Sequence, residues 1–527
     1  MRKITIVIAS ILILSGLLLA GGIVTNTNQS AAYLRTLNRN ASTDIDAVYS
    51  NPAGITQLEN GLHIGLNNQS IFQLKTVEND YTFLKNNKFE GTVTALVFPD
   101  FYVAYKKDKL ALSAAFMPIG GGGSAEFEAG LPSFEMPVSE LLPSMAATGV
   151  TDYRYDTYFN GSSIYFGGQA GLAYQINDKF SVSVGGRFVM ASNTYEGHLK
   201  DIEVNIPGTG WIAPGTFMHG AAAQYTAGAA SANGAASSLQ AVSTAGYGGL
   251  TFDQAQTGGV LTADQVSELQ GGLGENYVDG MTIDQAAATY TALGTGATAT
   301  AAEYEATANY LDVATGDKEV DVLQKATGFA PVISANFTPN ENLLIAFRYE
   351  GMLKLELENE TKDGKDAGMA TFADKAKTNA DMPAMVGLGV AYTVSPKLKT
   401  EASFNYYMNT GVNWDGKEDY IDNGYEAGLS VEYALNEKLK ASLGFLNAAG
   451  GAQENYQTDL SYSLNSNTIG LGFNFALSEK LNIDFGALNT FYAEGTRDGA
   501  SESTSVNFVE TYNKTTMGFA FGLNLKL

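Results

Sequence analysis

The sequence predicts an all-β protein: a transmembrane antiparallel β-barrel of about fourteen strands, with an N-terminal plug in the lumen and a long, partly helical external loop. Three observations lead there. The first is strict alternation, the period of a strand with one greasy face. Tyr425, Ala427, Leu429, Val431, Tyr433 and Leu435 share one face, opposite Glu426, Gly428, Ser430, Glu432 and Ala434. After a break at 436–438, Leu439, Ala441, Leu443 and Phe445 resume the apolar set; Ile469, Leu471, Phe473, Phe475 and Leu477 repeat it against Gly470, Gly472, Asn474 and Ala476. The second is length: these runs reach the roughly 9 to 11 residues of a membrane-crossing strand, where soluble strands average about 5 or 6. The third is that no segment after the N-terminal run is apolar enough for a membrane helix, which leaves a closed barrel as the fold that satisfies every backbone group in lipid.

Taken in order, residues 1–22 carry Arg2 and Lys3, an apolar run from Ile4 to Leu19, and then Ala20, Gly21 and Gly22. That run is short of the roughly 20 residues a spanning helix needs, so it reads as a secretory signal peptide. Residues 23–60 are polar and do not alternate, and Tyr33, Leu34, Leu37, Ile45, Val48 and Tyr49 punctuate them. Such a segment is a disordered tail or a plug inside the lumen, and the apolar punctuation favours the plug, with Leu34, Leu37 and Ala41 at helical spacing. The barrel occupies 61–527, with strands expected within 61–77, near 97–107 and over 110–118. The third expected strand runs into Gly120, Gly121, Gly122 and Gly123, which mark either a kink in the wall or a flexible loop. Turn tetrads at 340–343, 395–398, 436–439 and 478–481 place short turns on one rim and long loops on the other. The last strand, from Met517 to Leu527, ends the chain.

Residues 199–325 are too long for an ordinary connection. Thr251, Thr262 and Thr282 each precede an Asp and then a Gln three residues on, a capping box that opens a helix. Short helices over the external mouth are expected; the Ala/Gly/Ser tract 221–238 leaves a disordered low-complexity loop as the competing reading.

The net charge of −24 argues against nucleic acid, and the absence of cysteine excludes a lipoprotein anchor, disulfides and thiolate chemistry. His63, His198 and His219 are too scattered to suggest a metal site, and Asp415, Glu418, Asp419 and Asp422 lack calcium-loop spacing. No catalytic residue, metal or cofactor is expected, and the chain does not read as an enzyme.

Residues 47–54, with Asn51, Pro52 and Ala53 just before the first strand, resemble the hatch motif of the FadL/TodX family, outer-membrane transporters of long-chain fatty acids and other hydrophobic compounds. The order of signal peptide, hatch, regular hairpins, long third external loop and closing strands resembles that family over essentially the whole chain. The resemblance implies a monomer in the outer membrane of a Gram-negative-type cell, in contact with membrane lipid. It would take up hydrophobic small molecules passively: capture by external loops, a gate at Asn51, Pro52 and Ala53, and lateral exit at a third-strand kink over 120–123. Arg187 and Arg348, on the small polar face, together with Phe116 and Met117, are the candidate ligand-binding residues, although the two arginines are equally placed to balance lumenal carboxylates such as Glu350, Glu426 or Glu432. The alternative is a structural or adhesive barrel that binds a partner through 199–325.

Overall fold

The computed structural model describes residues 30–527; the expected signal peptide, 1–22, and the first plug residues, 23–29, lie outside the described residues. The chain divides into two compact units: one runs to Glu140 and adds Asp156–Leu199 and Lys318–Leu527, and the other comprises Leu141–Tyr155 and Lys200–Asp317.

The first unit is a closed antiparallel barrel. The strands of the chain in order are β1 Gly61–Asn79, β2 Lys88–Lys107, β3 Leu110–Phe127, β4 Asp152–Gln175, β5 Phe180–Ile206, the short β6 Gly210–Ile212, β7 Lys318–Asn340, β8 Leu343–Glu350, β9 Glu356–Asp366, β10 Lys377–Asn379, β11 Met385–Ser395, β12 Leu398–Tyr407, β13 Gly424–Ala434, β14 Leu439–Ala449, β15 Ser466–Ser478, β16 Leu481–Tyr492, β17 Gly495–Ala500 and β18 Asn507–Lys526. Three staves are interrupted. β8 and β9 both pair with β7, β10 extends β11 along the same edge, and β16 and β17 both pair with β18. With the three-residue β6 set aside, since it pairs with β5 inside the second unit, the wall counted this way has the expected fourteen staves, and β1 closes it on β18 from His63↔Lys526 to Asn79↔Glu510. All the expected tetrads are tight hairpins on one rim, where the chain also ends, with the Leu527 N–H donating to Leu62 O at 2.8 Å.

The apolar register faces outward, with Leu429 58% and Phe485 53% exposed. The opposite register is small because the plug packs against it. A Cβ on Gly444 would lie 2.0 Å from Thr36 O, on Gly470 2.4 Å from Leu34 O, and on Gly389 2.6 Å from Ala41 N. Any larger side chain there would strike plug backbone, which cannot give way cheaply.

The second unit contains most of the helical protein. Numbered from the start of the chain, helices α1 Ala31–Thr36, α2 Ala47–Ser50 and α3 Pro132–Ser139 belong to the first unit; α4 Leu141–Met145, α5 Pro214–Val242, α6 Phe252–Thr257, α7 Ala263–Leu273 and α8 Ile283–Ala314 belong to the second. Capping boxes at Thr251, Thr262 and Thr282 open α6, α7 and α8 as expected. The expectation that all the helices would be short fails at α5 and α8. The reason is a seven-residue repeat of small residues: Gly215, Ala222, Ala229 and Ala236 are buried on α5, and Ala287, Gly294, Ala301 and Ala308 on α8. Small seams let two helix backbones approach closely, which stabilises each far beyond its isolated propensity.

Candidate functional site

The plug is short and tied down throughout. α1 ends where Leu37 turns left-handed at φ 58°, so helical spacing does not continue to Ala41 as expected. Two buried arginines anchor this half: Arg35 pairs with Asp484 at 2.8 Å and with Glu432, and Arg39 pairs with Asp46 and Asp44 at 2.6 Å. Farther along, Asn51, Pro52 and Ala53 enter a 3₁₀ turn, Pro52–Gln57, with proline at its first position, where its missing N–H costs nothing. The Asn51 amide donates to Ser42 O at 2.9 Å and braces the plug against itself. Ala53 binds the wall, its N–H donating to Ser334 Oγ at 2.7 Å and its carbonyl accepting from Ser181 Oγ at 3.1 Å. Gln169 donates to Val48 O at 2.6 Å and Arg348 to Tyr49 O at 2.7 Å.

Arg187 and Arg348 both reach the lumen, where they are committed to this plug. Their guanidinium carbons lie 4.6 and 5.2 Å from the Tyr49 ring centre, so the ring is attracted to two buried cations. Arg187 is fully buried and also holds Glu350 Oε1 at 2.5 Å and Gln169 Oε1 at 2.7 Å. Met117 is buried in the same apolar cluster as Ile45, Tyr49 and Ile55. Phe116 corrects the expectation for it: the alternation puts Ala115 and Met117 inside, and Phe116 lies outside, 45% exposed and stacked on Phe166.

Beside the plug the wall is incompletely bonded. β2 pairs with β3 from Lys107↔Leu110 to Phe101↔Phe116, and the next pair is Thr92↔Glu126. Between them the two strands run without a ladder. On its other edge β3 meets β4 through two irregularities, at Pro118/Gly120 and Gly121/Gly123, and Gly121 and Gly123 take φ of 90° and 82°. Only glycine adopts such angles without strain, and a Cβ on Gly121 would lie 2.2 Å from Ser163 O. The glycine run is therefore a bulged continuation of β3, which extends to Phe127. Along this stretch Phe98, Met117 and Ile119 are buried, while Leu96 and Val97 are 59% and 74% exposed.

One pair of residues escaped the sequence reading. Lys75 and Lys514 are register partners across β1 and β18, on the same lumenal face as Val77 and Tyr512. Neither lysine has a carboxylate partner among the described residues, and Lys514 lies 4.9 Å from the Tyr492 ring centre. Alternation could have assigned each to the lumen; their adjacency depends on how the barrel closes. The Asp415 carboxylate accepts from the Asn379 backbone and side chain, and Glu418 accepts from the Trp414 and Gly416 N–H groups.

Neither a family model nor a curated protein matches the sequence. Solved structures do match the fold. A Pseudomonas aeruginosa FadL homologue is similar over 96% of this chain and 99% of its own, with TM-score 0.55 and 11% identity. The Pseudomonas putida toluene transporter TodX is similar over 96% of this chain and 100% of its own, with TM-score 0.50 and 11% identity. A deltaS2S3 mutant of TodX, described as a monoaromatic hydrocarbon channel, is similar over 94% and 99%, with TM-score 0.51 and 13% identity. The likeness is one of fold: a plugged barrel of the kind the hatch motif implied.

Proposed function

We propose that the chain is a member of the FadL/TodX transporter family, working in the outer membrane of a Gram-negative-type cell as a channel for passive uptake of hydrophobic small molecules. One observation carries the reading: a plug fixed to the wall by buried ion pairs stands beside a seam that lacks backbone hydrogen bonds. The axial route is obstructed by tethered backbone and charge, whereas leaving through the seam disturbs only side-chain packing. An apolar ligand passing between Phe98 and Ile119 toward Leu96 and Val97 stays among apolar groups and enters the bilayer without crossing water. Asn51, Pro52 and Ala53 act in this scheme as the gate that keeps the plug against Ser181 and Ser334. The unpaired Lys75 and Lys514 favour ligands with an anionic head, such as long-chain fatty acids, because a carboxylate would relieve two adjacent cations.

A disulfide staple tests the reading. A Cβ on Gly123 would lie 3.6 Å from that of Ala95, close to the spacing of about 3.8 Å in disulfides, and the chain has no native cysteine to interfere. Oxidised Ala95→Cys/Gly123→Cys should block uptake of labelled fatty acid and of a neutral hydrocarbon, and reduction should restore both to the level of the reduced variant, which carries the same backbone strain at position 123 and is the reference. Lys75→Met/Lys514→Met should lower uptake of the acid alone. Equal uptake by oxidised and reduced protein would refute lateral exit.

The second reading, a barrel that binds a partner through 199–325, is favoured by the packing of α5–α8 around a core of their own that includes Leu239, Phe252, Leu273 and Tyr290. Deleting 214–314 separates the two: a transporter keeps its seam-dependent release of bound ligand, and a pure adhesin has none to lose.

A further inference from the structure

Asn68 and Ser70 are out of place on the outside of the barrel. They share the outward register of β1 with Leu66 and Phe72, which are 52% and 41% exposed, and polar side chains on a lipid face are costly. Their partners explain them. β1 and β2 are in register at Gln69↔Phe98 and again at Ile71↔Ala95, so Leu96 and Val97 together oppose Ser70 alone. This is a bulge, and it removes Leu96 and Val97 from the regular ladder. Asn68 Nδ2 and Ser70 Oγ both donate to Leu96 O, at 3.1 and 2.8 Å, and the Phe98 N–H donates to Asn68 Oδ1 at 2.9 Å. Two side chains thus replace the ladder bonds that the bulge breaks.

The bulge sits at the seam. The β2 residues it displaces lie between Thr92 and Phe101, where β2 also lacks its β3 ladder. We infer that Asn68 and Ser70 are positioning residues that hold β2 out of hydrogen-bonding register with β3, and so keep the seam unpaired with Leu96 and Val97 as its outer lip. This rests on lateral exit as the transport route. The physical basis is where the freed backbone groups go. While Asn68 and Ser70 satisfy Leu96 O and Phe98 N–H, β2 gains little by reaching for β3. Without them, those groups are unpaired in hydrocarbon, which favours turning the 96–98 backbone from β1 toward the unpaired edge of β3.

The test compares Asn68→Leu/Ser70→Val with Ser70→Thr, which keeps the hydroxyl, and with the Ala95→Cys/Gly123→Cys staple. The double variant should release ligand to the bilayer several-fold more slowly with equilibrium ligand binding unchanged, and Ser70→Thr should behave as wild type. Amide exchange over 117–125 should slow in the double variant, because new β2–β3 hydrogen bonds form; a purely stabilising role for the two residues predicts faster exchange there. If the double variant does not assemble, Ser70→Val alone removes one donor to Leu96 O and is read in the same way. A blocking staple with wild-type release and exchange in the variants would overturn the role of Asn68 and Ser70 and leave lateral exit standing. A staple without effect would overturn lateral exit, and this inference with it.

Discussion

Replacing Arg35 by Met should unseat one half of the plug. The Arg35 side chain is 4% exposed; its Nε donates to Asp484 Oδ1 at 2.8 Å, and its Nη1 donates to Glu432 and to Ser442 Oγ, the latter at 2.5 Å. Methionine fills a similar volume, so the effect is electrostatic: two carboxylates, 2% and 16% exposed, lose their shared cation. Breaking a buried pair costs about 3–5 kcal/mol. The lower end applies, because Asp484 retains Asn474 and Asn524 as donors at 3.0 and 2.8 Å, and Glu432 retains Lys440 at 3.2 Å. A loss of about 3 kcal/mol exceeds what the few hydrogen bonds of α1 to the wall can offset at about 1 kcal/mol each. The helix should leave its seat, and reconstituted Arg35→Met should admit small sugars in a liposome-swelling assay that excludes them with wild type. Adding Glu432→Gln and Asp484→Asn removes the stranded charges and should restore exclusion. Sugar exclusion by Arg35→Met at unchanged thermal stability would refute the account of the plug as held by charge.

Two further outcomes concern the helical unit. His219 places Nδ1 3.0 Å from Glu305 and Nε2 2.9 Å from Asp312, and hydrogen bonds to Asp312 and then Glu305 raise its pKa above the ordinary value of about 6.5. A raised folded-state pKa means that the stabilisation is complete below the unfolded value and fades as pH rises through the folded one. Amide protection of α5 and α8 in the intact protein should therefore fall from pH 5.5 to pH 8.5, and His219→Gln should abolish the difference. Ala229→Leu places a large side chain in a seam made for alanine and should cost about 1–3 kcal/mol. Helical circular dichroism should then melt earlier while the barrel keeps its heat-modifiable mobility on gels.

The barrel was legible because its strands obey one rule at every position. Lipid demands apolar residues on the outward face, so alternation through Leu429, Leu443 and Leu471 fixes face and length together. The tetrads at 340–343 and 436–439 fix the rim in the same local way. What escaped depends on contacts between distant segments. Lys75 meets Lys514 only when the ends of the wall close, and Arg187 meets Tyr49 only because the plug folds back. Phe116 was misjudged because aromatic residues suit a ligand pocket and a lipid face equally, and the phase set by Ala115 and Met117 decides between them. The helical hairpin was obscured for a different reason: a close seam is built from the residues that also compose low-complexity linkers. The seven-residue spacing of Ala222, Ala229 and Ala236 separates the two, since a linker has no period.

The glycines show how one residue type serves two purposes in the wall. On a strand, glycine lowers the intrinsic preference for the extended chain by up to about 1 kcal/mol, so a wall rich in glycine on one face needs compensation. A water-filled lumen offers none, because water accepts any polar side chain there. A plug does: at Gly389, Gly444 and Gly470 its backbone approaches closer than a Cβ would allow, and each such position gains packing that a larger residue would exclude. Gly121 and Gly123 differ in kind, since their positive φ bends β3 out of regular register beside an unpaired stretch of β2. Glycine thus makes the wall close where the plug must be gripped and irregular where a ligand would leave. Only position relative to plug and seam tells the two uses apart, so the same residue type reads alike in the sequence and acts oppositely in the barrel.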